Sequence, residues 1–263
     1  MTAAPGWSPR RLAGTAIAVA AGYYAGARIG FAFTPASAPI SALWPPNAIL
    51  LAALLLTPSR AWPALLIATF PAHVAAERGA HVPMMMLLSW YVSNCTEALI
   101  GAAITRRFTD GPVRLDSFRR LTVFLGASAL AAPFLSSFLD AGFVRLNGWG
   151  TVDYWTLWRL RCASNVLATL SIAPAIVTLA NGGIVALWSR GTKRTAEAAL
   201  LAVSLFILYG AMFIDIGVRI HAGRTLLYAP LPLLLWAAVR FGPAGTSAAL
   251  AGFATLSAWG AIH

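Results

Sequence analysis

Long apolar runs, broken at intervals by prolines, glycines and short arginine-bearing stretches, cover almost the whole chain. Nine runs stand out, near residues 12–33, 40–56, 61–76, 82–105, 121–139, 154–179, 198–214, 225–239 and 244–263. Crossing the hydrocarbon of a bilayer takes about 20 apolar residues in a helix, and several runs reach that length. The pattern predicts an all-α fold, a polytopic integral membrane helical bundle of about 8–10 transmembrane segments.

The polar interruptions inside the runs carry more information than the runs themselves. Residues 154–174 read YWTLWRLRCASNVLATLSIAP, a span's worth of apolar chain that nevertheless contains Arg159, Arg161 and Asn165. On a helix Arg161 and Asn165 share a face, with Arg159 displaced from it. Trp155 and Trp158 come just before, where amphipathic rings favour the water–lipid boundary. A cation inside a membrane helix is costly unless it meets protein, a cavity or the interface. The two arginines therefore either mark a polar site or snorkel outward from the first turns.

The fourth run holds Ser93-Asn94-Cys95-Thr96-Glu97, which places Asn94 and Glu97 three apart on one helix face. A carboxyl at that depth has to be protonated, paired or wet. A direct Glu97–Arg161 pair is one outcome. A shared polar cavity with Trp155 and Trp158 near its mouth is the favoured one, because the two groups differ in depth by about a turn of 5.4 Å. The second run opens on Leu43-Trp44-Pro45-Pro46-Asn47. Paired prolines stop a helix from extending backward, so Trp44 marks either a fixed turn or a belt residue before a helix-starting proline. Pro133 predicts a kink in the fifth run, and Asp140 opens the loop after it. His73 reads as a packing histidine, and Met84, Met85 and Met86 as flexible filler rather than a metal set.

Composition sharpens the class. The 263 residues are 59% hydrophobic and only 10% charged, a balance foreign to soluble domains. A net charge of +11 would suit nucleic acid, but the arginines are scattered between apolar runs instead of gathered in one patch, so no nucleic-acid partner is expected. Cys95 and Cys162 lie inside predicted spans, with no disulfide and no metal ligands expected around them. With the N-terminus in the cytoplasm, the loops at residues 10–11, 60, 106–120, 190–194 and 240 collect most of the 19 Lys and Arg on that side. The positive-inside rule favours this orientation in a bacterial inner membrane. An odd number of spans then leaves His263 outside, so either the chain continues or one run does not cross.

Four stretches together resemble one family. They are Ser41-Ala42-Leu43-Trp44-Pro45-Pro46-Asn47, the Ser93–Ala102 block SNCTEALIGA, Ser164-Asn165-Val166-Leu167 through Pro174, and the 231–243 block LPLLLWAAVRFGP. In that order they are similar to the bacterial membrane-associated sensor domains, first class of the MASE group. The resemblance implies a single sensory domain over residues 1–263, followed in its relatives by a C-terminal output domain of a sensor histidine kinase or diguanylate cyclase, often through PAS domains. Many members carry Gly-Asp where this chain has Ser164-Asn165, which removes one carboxylate from the central span.

The expected role is signal input without catalysis or cofactor. Asn94, Glu97, Trp155, Trp158, Arg159, Arg161, Asn165, Trp44 and Asn47 are the candidate signal-binding residues. The expected partners are membrane lipids, an unidentified small molecule, the effector domain, and a second copy of the chain or another membrane protein. A transporter or substrate-capture subunit is the alternative, since proline-broken hydrophobic segments with midplane polar groups also suit transport. A membrane enzyme would need a nucleophile with its base or a metal cluster, and Glu97 with scattered histidines supplies neither.

Overall fold

A computed structural model of the chain describes residues 8–35, 40–77, 82–109, 113–183, 191–213 and 228–262. Among them the secondary structure is helical, without strands. Eight helices follow one another: α1 (Pro9–Ala32), α2 (Pro45–Leu56), α3 (Trp62–Glu77), α4 (Met84–Phe108), α5 (Phe118–Leu146), α6 (Tyr154–Gly183), α7 (Thr192–Phe213) and α8 (Pro230–Gly260). By length and composition α5, α6, α7 and α8 are each able to cross a membrane. The predicted all-α membrane bundle is the fold found. The polar stretch around Asp215, Arg219, His221 and Arg224, and also Arg78, His81, Asp110 and Arg190, lie outside the described residues.

Local chemistry sets most helix ends. Ser8 accepts a hydrogen bond from the Arg11 amide (3.2 Å) and Pro9 follows it, a combination that begins α1. Asp153 caps α6 by accepting from the Trp155 and Thr156 amides, both at 3.1 Å. Trp44 precedes α2 with a non-helical backbone (φ −112°, ψ 84°), and Pro45 takes the first helical position. Of the two readings of this segment the helix-starting proline is the one found, but Trp44 is buried rather than part of an interfacial belt.

Two prolines redirect the chain as the sequence suggests. In α5 the stretch Phe124–Ala131, immediately before Pro133, widens into a π-helix. Proline lacks the amide that the preceding turn needs and its ring crowds that carbonyl, so the register loosens there. Beyond it α5 runs on to Leu146, and Asp140 lies inside the helix instead of starting a loop. In α8 the backbone breaks at Gly242 (φ 66°, ψ −161°), a conformation that favours glycine, next to Pro243. Its two arms, 230–241 and 243–260, fall in the eighth and ninth apolar runs.

The short α2 is the axis of the bundle. It packs against α1, α4 and α6, and nearly every residue from Pro45 to Leu55 is buried. Its approach to α1 depends on Gly22, Gly26 and Gly30, spaced by four along one face. A Cβ at Gly30 would lie 2.6 Å from the Trp44 ring, and one at Gly26 would lie 2.7 Å from Ile49. Small residues at this spacing are how membrane helices bring their backbones close. The outward faces of α7 and α8 are apolar and exposed, at Leu200, Phe206, Ile207, Leu235 and Val239 for example, as lipid-facing surfaces are.

One end of the bundle gathers the arginines. Arg106 at the end of α4 sits over the Trp62 ring at the start of α3 (5.5 Å). Arg11 lines a cavity with Leu56 and Thr57 at the end of α2. Arg114, Arg194 and Arg240 surround a cavity of about 450 Å³ beside Asn181 and Gly183 at the end of α6. The loops that the charge count grouped together thus share one face of the structure.

Candidate functional site

Away from that arginine-rich end, helices α4, α5 and α6 present polar side chains to one another in two layers. The spacing is the helical four: Ser93 and Glu97 on α4, Ser136 and Asp140 on α5, Arg161 and Asn165 on α6. Because α5 runs antiparallel to its neighbours, Asp140 meets Arg161 in the outer layer and Ser136 meets Glu97 and Asn165 one turn deeper.

In the deeper layer the Ser136 hydroxyl donates to Glu97 Oε2 (2.6 Å) and the Asn165 amide donates to the same oxygen (2.7 Å). Glu97 is only 3% exposed. Asn47, in the first turn of α2, is buried beside this carboxyl, yet its amide nitrogen and oxygen both lack a bonded partner within hydrogen-bond geometry. The Asn165 carbonyl oxygen is likewise buried and unbonded. Native interiors leave few such groups, so the Asn47–Asn165 side of the layer has unused hydrogen-bonding capacity.

The outer layer is an ion pair. Arg161 Nε donates to Asp140 Oδ2 at 2.6 Å, with Asp140 almost wholly buried, and the Arg161 guanidinium lies over the Trp90 ring (5.9 Å). A direct Glu97–Arg161 pair, the less favoured of the two outcomes, does not form. Glu97 stands a turn below Arg161, within its electrostatic reach, and serine and asparagine hold it. Asp140, one turn above Ser136, is at the level of the arginine and takes it.

A third set of contacts ties α1, α3 and α4 together. The Asn94 amide donates to Tyr23 Oη (3.0 Å), Tyr23 Oη lies 3.4 Å from His73 Nδ1, and His73 Nε2 lies 3.1 Å from the Leu87 carbonyl. The carbonyl can only accept, so Nε2 carries the ring proton and Nδ1 accepts from the tyrosine. His73 is therefore the packing histidine that its sequence context suggested, with both nitrogens bonded.

Two neighbouring cavities, each of about 110 Å³, open off the outer layer. One is lined by Phe31, Trp44, Glu77, Trp90, Asn94 and Arg161 among others. The second lies between Asp140, Trp149, Leu157 and the other side of Trp90 and Arg161.

Of the nine candidate residues, Glu97, Asn165 and Asn47 form the deeper layer, while Arg161, Asn94 and Trp44 surround the outer cavity. The remaining three lie elsewhere. Trp155 is 60% exposed and stacks with Trp158 and Phe138, away from both cavities. Trp158 packs on Phe134 and donates to its carbonyl (3.3 Å). Arg159 is exposed and donates to Thr156 (3.2 Å), the snorkelling outcome. The two tryptophans therefore do not stand at the cavity mouth, because the face they share looks toward α5 and outward.

Glu77, Asp140 and Ser136 are the members that sequence reading passed over. Glu77 and Asp140 sit at the edges of apolar runs, where a charged residue reads as the start of a loop. Their signal was a four-residue step from a polar residue inside the run, His73 to Glu77 and Ser136 to Asp140.

The fold and these polar layers define a multi-span helical membrane domain with a polar interior. The MASE1 family model matches residues 15–263, essentially the whole chain, and the chain belongs to that family of membrane-associated sensory domains found in signalling proteins. No curated protein and no solved structure matched it.

Proposed function

We propose that this chain is the sensory input module of a bacterial signal-transduction protein, foremost a sensor histidine kinase, in the inner membrane with its N-terminus in the cytoplasm. It takes a small-molecule, lipid or membrane-partner signal between its helices and relays a shift to a C-terminal effector. We assign it no reaction of its own. The observation that supports this most is the two-layer polar contact among α4, α5 and α6, with cavities beside it at the end of the bundle away from the cluster of Arg11, Arg106, Arg114, Arg194 and Arg240. Interhelical polar contacts inside a membrane have few discrete arrangements. A ligand that competes for one of those groups therefore favours one arrangement over another.

We base the orientation on the arginine-rich end, which the positive-inside rule assigns to the cytoplasm. The last turn of α8 lies at the other end, where Trp259 packs on Phe33 (5.8 Å), so a cytoplasmic effector is reached only by chain beyond His263. The cavities then face the cell exterior. The reading frame beyond His263 tests the relay: continuation into a PAS, kinase or cyclase segment is expected, and a stop codon there would refute it. Single cysteines placed at 113–117 should resist an impermeant thiol reagent applied outside the cell. Their labelling would reverse the topology.

A further inference from the structure

We propose that the cavity at Glu77 binds a small organic monocation, an alkyl- or methyl-substituted ammonium head. The proposal rests on reading the chain as an input module and names the ligand class for its outer cavity. Glu77 is 6% exposed, lines the cavity, and receives no hydrogen bond or ion pair from any described residue. A buried carboxylate without a partner carries a large desolvation cost, and a cation beside it would relieve that cost.

Charge balance gives the same sign. Among the described residues the polar interior holds three carboxyls, Glu77, Glu97 and Asp140, against the single guanidinium of Arg161. That guanidinium also lines the cavity and acts on Glu77 through space, but its close contact, at 2.6 Å, is with Asp140, so Glu77 is left without a bonded counter-charge among the described residues.

The walls decide between an organic and an inorganic cation. Trp44 and Phe31 meet edge to face (5.4 Å, 72°), and Trp90 completes an aromatic side. Aromatic faces attract ammonium groups, tryptophan most strongly, and most of all where water is excluded. A metal ion needs several oxygen ligands to replace its water. Of the polar side chains here, Asn94 is turned toward Tyr23 and Ser41 donates to backbone carbonyls, so Glu77 is nearly alone in that role. A volume of about 110 Å³ corresponds to roughly three or four waters at ~30 Å³ each, which suits a small ammonium head. Drug-sized ligands occupy pockets of about 300–1,000 Å³.

The test uses the purified chain in lipid nanodiscs, titrated with trimethylammonium, tert-butanol as its neutral shape analogue, acetate and potassium. Tryptophan fluorescence and the thermal midpoint are read. Trimethylammonium should bind saturably and raise the midpoint, whereas the other three should not. Glu77→Gln should weaken trimethylammonium at least about tenfold, and Glu77→Asp should recover most of the loss. Phe31→Leu, at the solvent-exposed rim, should weaken it about threefold without disturbing the fold. Absence of saturable binding, equal binding of tert-butanol, acetate or potassium, or unchanged affinity in both Glu77→Gln and Phe31→Leu would each overturn the proposal. Binding is read on the module alone, so its failure leaves the sensory reading to stand or fall on signalling output and the downstream reading frame.

Discussion

Breaking the Arg161–Asp140 pair from either side should have unequal consequences. The pair is at 2.6 Å, with side-chain exposures of 13% for Arg161 and 4% for Asp140, so little water can replace a lost partner. Removing one member of a buried pair costs about 3–5 kcal/mol, because the other charge remains buried and uncompensated. Arg161→Met falls at the top of that range, since the same guanidinium also acts through space on Glu77 and Glu97. Asp140→Asn falls at the bottom or below it, because Arg161 keeps those two carboxyls as neighbours and the amide still accepts a hydrogen bond. The double variant removes the ion pair altogether and should recover much of the loss.

Neutral interhelical hydrogen bonds in membranes are worth only about 0.6 kcal/mol on average, with a maximum near 1.7. A coupling energy of about 2–3 kcal/mol would therefore identify an ion pair and not one more polar contact. Equilibrium unfolding of the four proteins in mixed micelles, with SDS as denaturant, measures it. Additive single effects, within about 0.5 kcal/mol, would refute the pair as a structural unit.

Three further expectations follow from other contacts. Glu97→Gln keeps the shape and the Ser136 and Asn165 contacts, so the protein should insert and fold normally while the signalling output of the full-length receptor changes; an unaltered output would make Glu97 structural. Gly30→Ala forces a Cβ to within 2.6 Å of the Trp44 ring and should cost about 1–3 kcal/mol by overpacking, and a neutral result in the same unfolding assay would mean that α1 does not need its close approach to α2. The Asp153 carboxyl, at the mouth of α6 outside the span, is held below the ordinary carboxylate range by hydrogen bonds from the Thr156 side chain and amide. Its folded value is depressed, so its contribution is present above the unfolded value and is lost as pH falls through the folded one. Wild-type protein should lose helix-start protection in amide exchange as acid is added, Asp153→Asn should lose none through this group, and identical profiles would dismiss the cap.

Fold class and the breaks made by proline and glycine were legible because the bilayer imposes one solution on long apolar chain, although α5 ran past the boundary read at Asp140. Helices must satisfy their own backbone, and prolines and glycines at 45–46, 133 and 242–243 can only start, loosen or break them. Helical spacing alone also placed Arg161 with Asn165. It could not say which neighbour each would meet, because that depends on the relative depth and direction of helices far apart in the chain.

Tertiary packing made those choices. The antiparallel course of α5 set Asp140 level with Arg161 and left Glu97 to Ser136 and Asn165. The glycine face of α1 drew Trp44 inward, out of any interfacial belt. The rotation of α6 turned Trp155, Trp158 and Arg159 outward, although they lie within a turn of the buried arginine. Sequence period fixes which residues share a face; only the packed neighbours decide whether that face meets a charge, a cavity or lipid.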